Sequence, residues 1–130
     1  MDVDQNVESE AFGVVERYFA ALNAGDAEGV TDTFNFPHFR IGSTGNVTYY
    51  PDRNANHLEN FRGRTSADGW QHSTIDRMEA TFTMPTKAHV NVYFRRLRED
   101  GSEIGSYFSL YVVTQVEGHW GLQGGSGNGS

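Results

Sequence analysis

The chain has 130 residues, 37% hydrophobic and 21% charged, enough for one globular core and too few for two. Its formal net charge of -7, with ten Lys plus Arg, repels phosphate backbones and anionic lipid surfaces, so neither nucleic acid nor membrane is an expected partner. No cysteine is present, which excludes disulfides, thiol nucleophiles and cysteine metal sites and makes the cytoplasm the expected compartment.

The opening "MDVDQNVESEAF" is acidic and lacks the basic and apolar regions of a targeting segment, and no apolar run approaches the length of a bilayer span. From Ser9, a plausible N-cap, Phe12, Val15, Phe19 and Leu22 form one apolar stripe, which predicts a helix ending at Gly25. Asp26 caps a second, shorter helix carrying Val30 and Phe34, and the two read as a helical hairpin. "NFPHFRIGS" and "NVTYYPD", separated by "GSTGN", read as a two-strand hairpin, with Pro37 marking an edge or a strand start. "DRNANHLENFRGR" predicts a short third helix on Leu58 and Phe61. After the Asp68-Gly69 turn everything alternates like strand: "WQHSTIDRMEATFTM", "AHVNVYFRRLRED" and "EIGSYFSLYVVTQVEG", then "HWGLQ". Helices gathered before residue 65 and an antiparallel meander after it predict an α+β domain whose helices cover one face of a strongly bent sheet. The domain is expected to end at residue 123, leaving 124–130, "GGSGNGS", as a flexible tail.

The order and spacing of "YFAALNAGD", "FNFPHFRI" and the final "EGHWG" hairpin resemble the NTF2-like superfamily, which includes the SnoaL-like, ketosteroid-isomerase-like and scytalone-dehydratase-like proteins, over residues 9 to 123. That resemblance implies a cone of curved antiparallel sheet closed by N-terminal helices, the cystatin-like α+β barrel, with a ligand cavity inside and commonly a homodimer through the outer sheet face. It implies no single reaction, because the superfamily carries many.

Trp70 and His72 stand two apart on a predicted strand and so share a face, read here as pocket rather than core. Thr74 and Asp76 follow on the same alternation, and Asp76 is a candidate to orient His72 or to act as a base itself. His38 follows Pro37 on a strand that, by the resemblance, supplies a polar cavity residue in related enzymes. A facing pair of neutral imidazoles, His38 and His72, suits proton transfer near neutral pH, because an unperturbed pKa of about 6.5 lets one accept and the other donate. Scytalone dehydratase, where histidines and tyrosines do such work, is similar in residue type. The ketosteroid isomerase pattern is disfavoured, since Pro37, His38 and Arg40 stand where an acidic base would be sought.

Arg40 shares the His38 face and is placed near the cavity rim, suited to hold a carboxylate or enolate. Tyr49 and Trp70 are expected in the cavity wall, and Tyr18 and Tyr107 as further ligand-facing rings with polar tips. Arg95 and Arg96 read as part of a solvated run with Arg98, Glu99 and Asp100; His57 and His119 read as exposed, and His89 as a strand-surface residue. No metal or nucleotide motif occurs, and no cofactor is expected. Two functional readings follow: a cofactor-free lyase, isomerase or cyclase acting on a small apolar or aromatic molecule through histidine acid-base chemistry, or a non-catalytic protein that binds such a molecule or acts as a dimeric interaction module.

Overall fold

The computed structural model describes residues 3–129. Helix α1 spans Val3–Ala24, α2 Ala27–Asp32 and α3 His57–Thr65; the strands are β1 Phe34–Ile41, β2 Val47–Tyr50, β3 Trp70–Met84, β4 Lys87–Arg98, β5 Glu103–Val116 and β6 His119–Gly127. Helix α1 starts earlier than expected: Ser9 lies within it, exposed, rather than capping it. Its inward stripe is Val7, Ala11, Val14, Val15, Tyr18, Phe19 and Leu22, all buried, while the predicted Phe12 is only partly so. Gly25 ends the helix at φ 68°, a backbone region glycine enters freely. Asp26 then caps α2 through a 2.9 Å bond accepted from the Gly29 amide.

The sheet runs β2-β1-β6-β5-β4-β3. It is an α+β fold with helices laid against a curved six-stranded sheet whose end strands β2 and β3 do not pair, so the cone is open and not a closed barrel. Nor is it wholly antiparallel, because β1 and β6 run parallel. That junction also corrects the reading of Pro37. It sits inside a central strand, after a cis Phe36–Pro37 peptide, where the β1–β6 register jumps between Phe34 and Phe39. A strand interior tolerates proline only where such an irregularity frees it from supplying a ladder N–H.

Alternation assigns the faces. In β4, Ala88, Val90, Val92, Phe94 and Arg96 point inward and are buried, while His89, Asn91, Tyr93 and Arg95 point outward. The inward rows of β4, β5 and β6 meet α1 to form the core, with Tyr111, Val113 and Leu122 among them. Each large apolar side chain taken from water there contributes about 1.5–3 kcal/mol.

The flexible tail is a second correction, because residues 124–127 belong to β6, paired with β1 on one side and β5 on the other. Asn128 continues the attachment by exchanging hydrogen bonds with the Phe108 backbone. The glycines are a packing requirement. A Cβ at Gly124 would stand 2.6 Å from the Phe39 ring on one face, and at Gly125 3.2 Å from the Tyr111 ring on the other. Aromatic rings lie where side chains would otherwise stand.

Candidate functional site

A cavity of about 130 Å³ opens between α1, α3 and the inner sheet face, lined among others by Tyr18, Tyr50, Tyr111, Arg40, Arg64 and Arg96. No Asp or Glu lines it among the described residues. Among its described residues, a chain of net charge -7 has therefore placed three cations and no carboxylate in the wall of its interior hollow.

Strand β1 delivers Arg40. Its register pairs Arg40 with Thr48 and Gly125, and both of those residues also line the cavity. The Arg40 guanidinium lies 5.1 Å from the Tyr18 ring centre, 5.5 Å from Tyr111 and 5.6 Å from Phe34. Ring faces attract the cation while leaving its in-plane N–H edges unspent. Nε donates to His38 Nε2 at 3.1 Å, and the buried Nη2 has no hydrogen-bond partner among the described residues.

Arg96 repeats the arrangement on β4. It is 9% exposed, sits 4.6 Å from the Tyr107 ring and 5.2 Å from Phe61, donates from Nη1 to the Gly129 carbonyl, and leaves Nε buried and unpartnered among the described residues. Sequence reasoning assigned Arg96 to a solvated run. The usable signal was its parity with Val90, Val92 and Phe94, which places it on the inner face. Unmet N–H groups on buried cations are costly, and natural structures seldom keep them without an occupant or a role.

Of the predicted site residues, the structure brings Tyr18 and Arg40 into the cavity wall, Arg40 as a main component rather than at the rim. His38 is fully buried behind Arg40: Nδ1 donates to the Leu122 carbonyl at 2.8 Å, Nε2 accepts from Arg40, and the ring stacks on Phe34 at 3.8 Å. Both nitrogens are thus engaged away from the hollow. Burial, reinforced by the charge of Arg40, pushes this imidazole down to about 3.

His72 faces outward. The β3–β4 register shifts between Trp70 and His72, so that Trp70 pairs with Arg98 and His72 with Leu97. One inserted residue moves every later side chain to the opposite face, and the i, i+2 rule fails across it. Trp70 shares its face with Ser73 instead, to whose Oγ its Nε1 donates at 2.9 Å, and it packs edge-on against Phe61 at 4.9 Å without lining the cavity. His72 Nδ1 lies 2.5 Å from Gln71 Oε1. The His38–His72 pair is therefore not assembled.

Asp76, the unpaired residue at a second register shift between Ile75 and Arg77, is held by Arg95 through 3.0 Å bonds to both carboxylate oxygens on the outer face. Tyr49 is 61% exposed on the outer face of β2 and forms no part of the wall. Tyr107 supports the wall from behind, under the Arg96 guanidinium.

The largest omission is His57, expected in solvent and found 2% exposed. Its Nε2 lies 2.8 Å from the Tyr18 hydroxyl and its Nδ1 3.1 Å from the Tyr50 hydroxyl, which also accepts from Asn60 Nδ2 at 2.9 Å. Burial first, then the charge of Arg40, holds His57 well below the ordinary histidine value. The spacing His57, Phe61, Thr65 marks the inward face of α3 and was the signal available. Burial likewise raises the Tyr18 hydroxyl, against the opposing charge of Arg40. Among the described residues, no group of three or more His, Asp or Glu could hold a metal ion, and no helix is long and apolar enough to cross a membrane.

Comparison with curated proteins finds no match. The fold, by contrast, is widely shared. An NTF2-like protein with a cystatin-like fold from Novosphingobium aromaticivorans DSM superimposes with a TM-score of 0.76 at 14% identity, covering 97% of this chain and 85% of that one. A protein of unknown function with a cystatin-like fold from Nostoc punctiforme PCC 73102 gives 0.74 at 18%, covering 93% and 89%. A third with a cystatin-like fold, from Caulobacter vibrioides, gives 0.70 at 14%, covering 95% and 89%. Identities this low speak for the fold alone. The family model described as NTF2-like protein (DUF6841) matches residues 9–124, nearly the whole chain, and the protein belongs to that NTF2-like family.

Proposed function

We propose that the protein binds a small organic anion, a one-ring or short-chain carboxylate, in its internal cavity. The observation that carries this reading is a wall holding Arg40, Arg64 and Arg96 with no acidic side chain among the described residues, and with buried N–H groups of Arg40 and Arg96 unpaired. A carboxylate matches the planar fork of a guanidinium and gives it the charge that the wall lacks. The size fits as well, since an apolar cavity of roughly 150 Å³ takes a benzene ring. Tyrosine and phenylalanine rings provide the apolar remainder of the pocket.

Binding comes ahead of histidine catalysis because the two imidazoles that would have shared a substrate are, one, spent on Leu122 and Arg40 and, the other, outside. Benzoate titrated by calorimetry should bind and raise the melting temperature, and benzamide, its neutral isostere, should bind at least tenfold more weakly. Equal affinity for the two would remove the charge argument and with it this reading.

The same protein is proposed to pair with a second copy of itself through the convex face. Phe39, Ile41, Val47 and Tyr49 stand 38–63% exposed in a contiguous quartet where β1 and β2 pair, and Val112, Leu110, Phe108 and Tyr93 continue the outer surface across β5 and β4. Apolar continuity on that scale supports burial against an identical patch. Light scattering at micromolar concentration should return the mass of a dimer, and Tyr49→Asp should return that of a monomer; a monomer for the unaltered chain would end the proposal.

A further inference from the structure

Two tyrosine hydroxyls, from α1 and β2, converge on one imidazole from α3 beside the arginine-lined cavity, and both tyrosines line that cavity. We propose that His57 is a neutral two-sided hub which leaves one tyrosine O–H, from either Tyr18 or Tyr50, free to donate to an anion bound against Arg40.

The argument is a count of hydrogens. A neutral imidazole has one N–H and one lone pair. Two bonds join it to the two hydroxyls, so one is made with the ring's own hydrogen and the other with a tyrosine's. Three hydrogens are present on these groups and two are used. With the proton on Nε2, the ring donates to Tyr18, Tyr50 donates to Nδ1, and the Tyr18 hydrogen is left over. With the proton on Nδ1, the ring donates to Tyr50, Tyr18 donates to Nε2, and the Tyr50 hydrogen is left over.

Asn60 Nδ2 donates to the Tyr50 oxygen at 2.9 Å, and that oxygen has lone pairs enough for either case. Neither tautomer leaves a ring nitrogen unmet, and a shift between them hands the free donor from one side of the cavity wall to the other. The ring is held in place for this by Phe34 at 5.3 Å and Phe61 at 6.4 Å, and it is buried. Its burial and the neighbouring Arg40 charge disfavour the imidazolium, which would free both hydroxyls at once.

The pocket then presents a neutral phenolic donor beside cationic guanidinium edges. That set suits a carboxylate, one oxygen on the fork and one on the phenol, and suits equally the oxygen of a carbonyl on which negative charge develops. His57 touches no ligand in this arrangement. It is a positioning residue.

The identity of the acceptor rests on the proposal that the cavity takes an organic anion, but the hub itself can be tested with the cavity empty. Long-range proton–nitrogen spectra of the full chain labelled in histidine should show, at pH 6, one protonated and one bare nitrogen on His57. In Tyr18→Phe the proton should sit on Nδ1, where Tyr50 can receive it, and in Tyr50→Phe on Nε2, because an orphaned buried N–H is worse than an orphaned lone pair. A doubly protonated ring in the unaltered chain, or the same tautomer in both variants, overturns the hub. The unaltered-chain spectrum decides the first point even if a variant does not fold.

With benzoate as the probe, each single tyrosine variant keeps a donor and should lose less than about fivefold in affinity, while Tyr18→Phe with Tyr50→Phe should lose at least another tenfold beyond their product. Additive losses count against the hub. Absence of benzoate binding in the unaltered chain overturns the anion reading instead and leaves the spectra to judge the hub.

Discussion

Lowering the pH from 7 to 4 should remove about 3 kcal/mol of stability through His38 alone, and His57 should add to that loss. His38, pushed down to about 3, and His57, also held well below its ordinary value, are both buried uncharged. A histidine whose folded pKa lies below its unfolded value contributes stability that is fully present above about 6.5 and is lost as the pH falls, because the unfolded chain takes up a proton that the folded chain refuses. Each such group contributes a slope approaching 1.4 kcal/mol per pH unit once the unfolded imidazole is protonated. Urea titrations at pH 7, 6 and 5 should therefore show stability falling between the last two points by about 1.2 kcal/mol through His38, with His57 adding to the fall. His38→Asn, whose side-chain amide can keep the bond to the Leu122 carbonyl, should lose the His38 share of that fall and keep the rest. A stability that stays level from pH 7 to 5 would mean that the unaltered protein protonates these rings while folded.

Periodicity made the frame of the fold legible and failed at irregularities that periodicity does not encode. The apolar stripe of α1, the Asp26 cap, the hairpin of β1 and β2 and the long meander were all readable, because each follows from a spacing or a turn residue. The bulge after Trp70 was not. A single inserted residue leaves composition and local alternation unchanged, yet it decides whether His72 or Ser73 faces the interior. The strand at residues 124–127 was hidden for a related reason. Glycine marks flexibility in isolation, and only the rings of Phe39 and Tyr111, contributed by distant strands, turn its lack of a side chain into a fit.

The candidate site was half legible, and what was missed shares a cause. Arg40 could be placed because it shares a strand face with His38, and Tyr18 because an aromatic ring with a polar tip suits a cavity wall. His57 and Arg96 are each set among polar and charged residues, "NANHLENFRGR" and "FRRLRED", where average hydropathy points to solvent. Their parity or helical phase pointed inward, and phase was the better guide at both positions. Composition describes a segment, whereas a site is built from one face of it. The acid-base pair expected from His38 and His72 failed for the same reason in reverse: residue type suited the chemistry, and neither ring faces the space where the chemistry would occur.

Arg40→Met should weaken benzoate binding more than a hundredfold while leaving the melting temperature unchanged or higher. The guanidinium has no acidic partner in the cavity wall among the described residues; it is a desolvated cation held by the neutral rings of Tyr18, Phe34 and Tyr111 and by its bond to His38. Such a charge costs stability, and an apolar side chain of similar length in its place relieves that cost while keeping the packing against Tyr18, Phe34 and Tyr111. Against this stands the loss of the charged donor to His38 Nε2, about 1.5–3 kcal/mol, set against a penalty of several kcal/mol for an unpaired buried charge.

The binding loss has a larger scale, because two charge-assisted hydrogen bonds to a carboxylate contribute about 1.5–3 kcal/mol each, and 3 kcal/mol already exceeds a hundredfold in affinity. Arg40→Lys keeps the charge and loses the fork, and should fall between the two. Arg64→Met, at an exposed position, should cost only a few fold. Calorimetry with benzoate and a thermal melt on each variant separate the outcomes. Full binding by Arg40→Met would show that the cavity does not recognise anions through this residue. A melting temperature far below that of the unaltered chain would show that the guanidinium is part of the structural core rather than a binding group kept at a cost to stability.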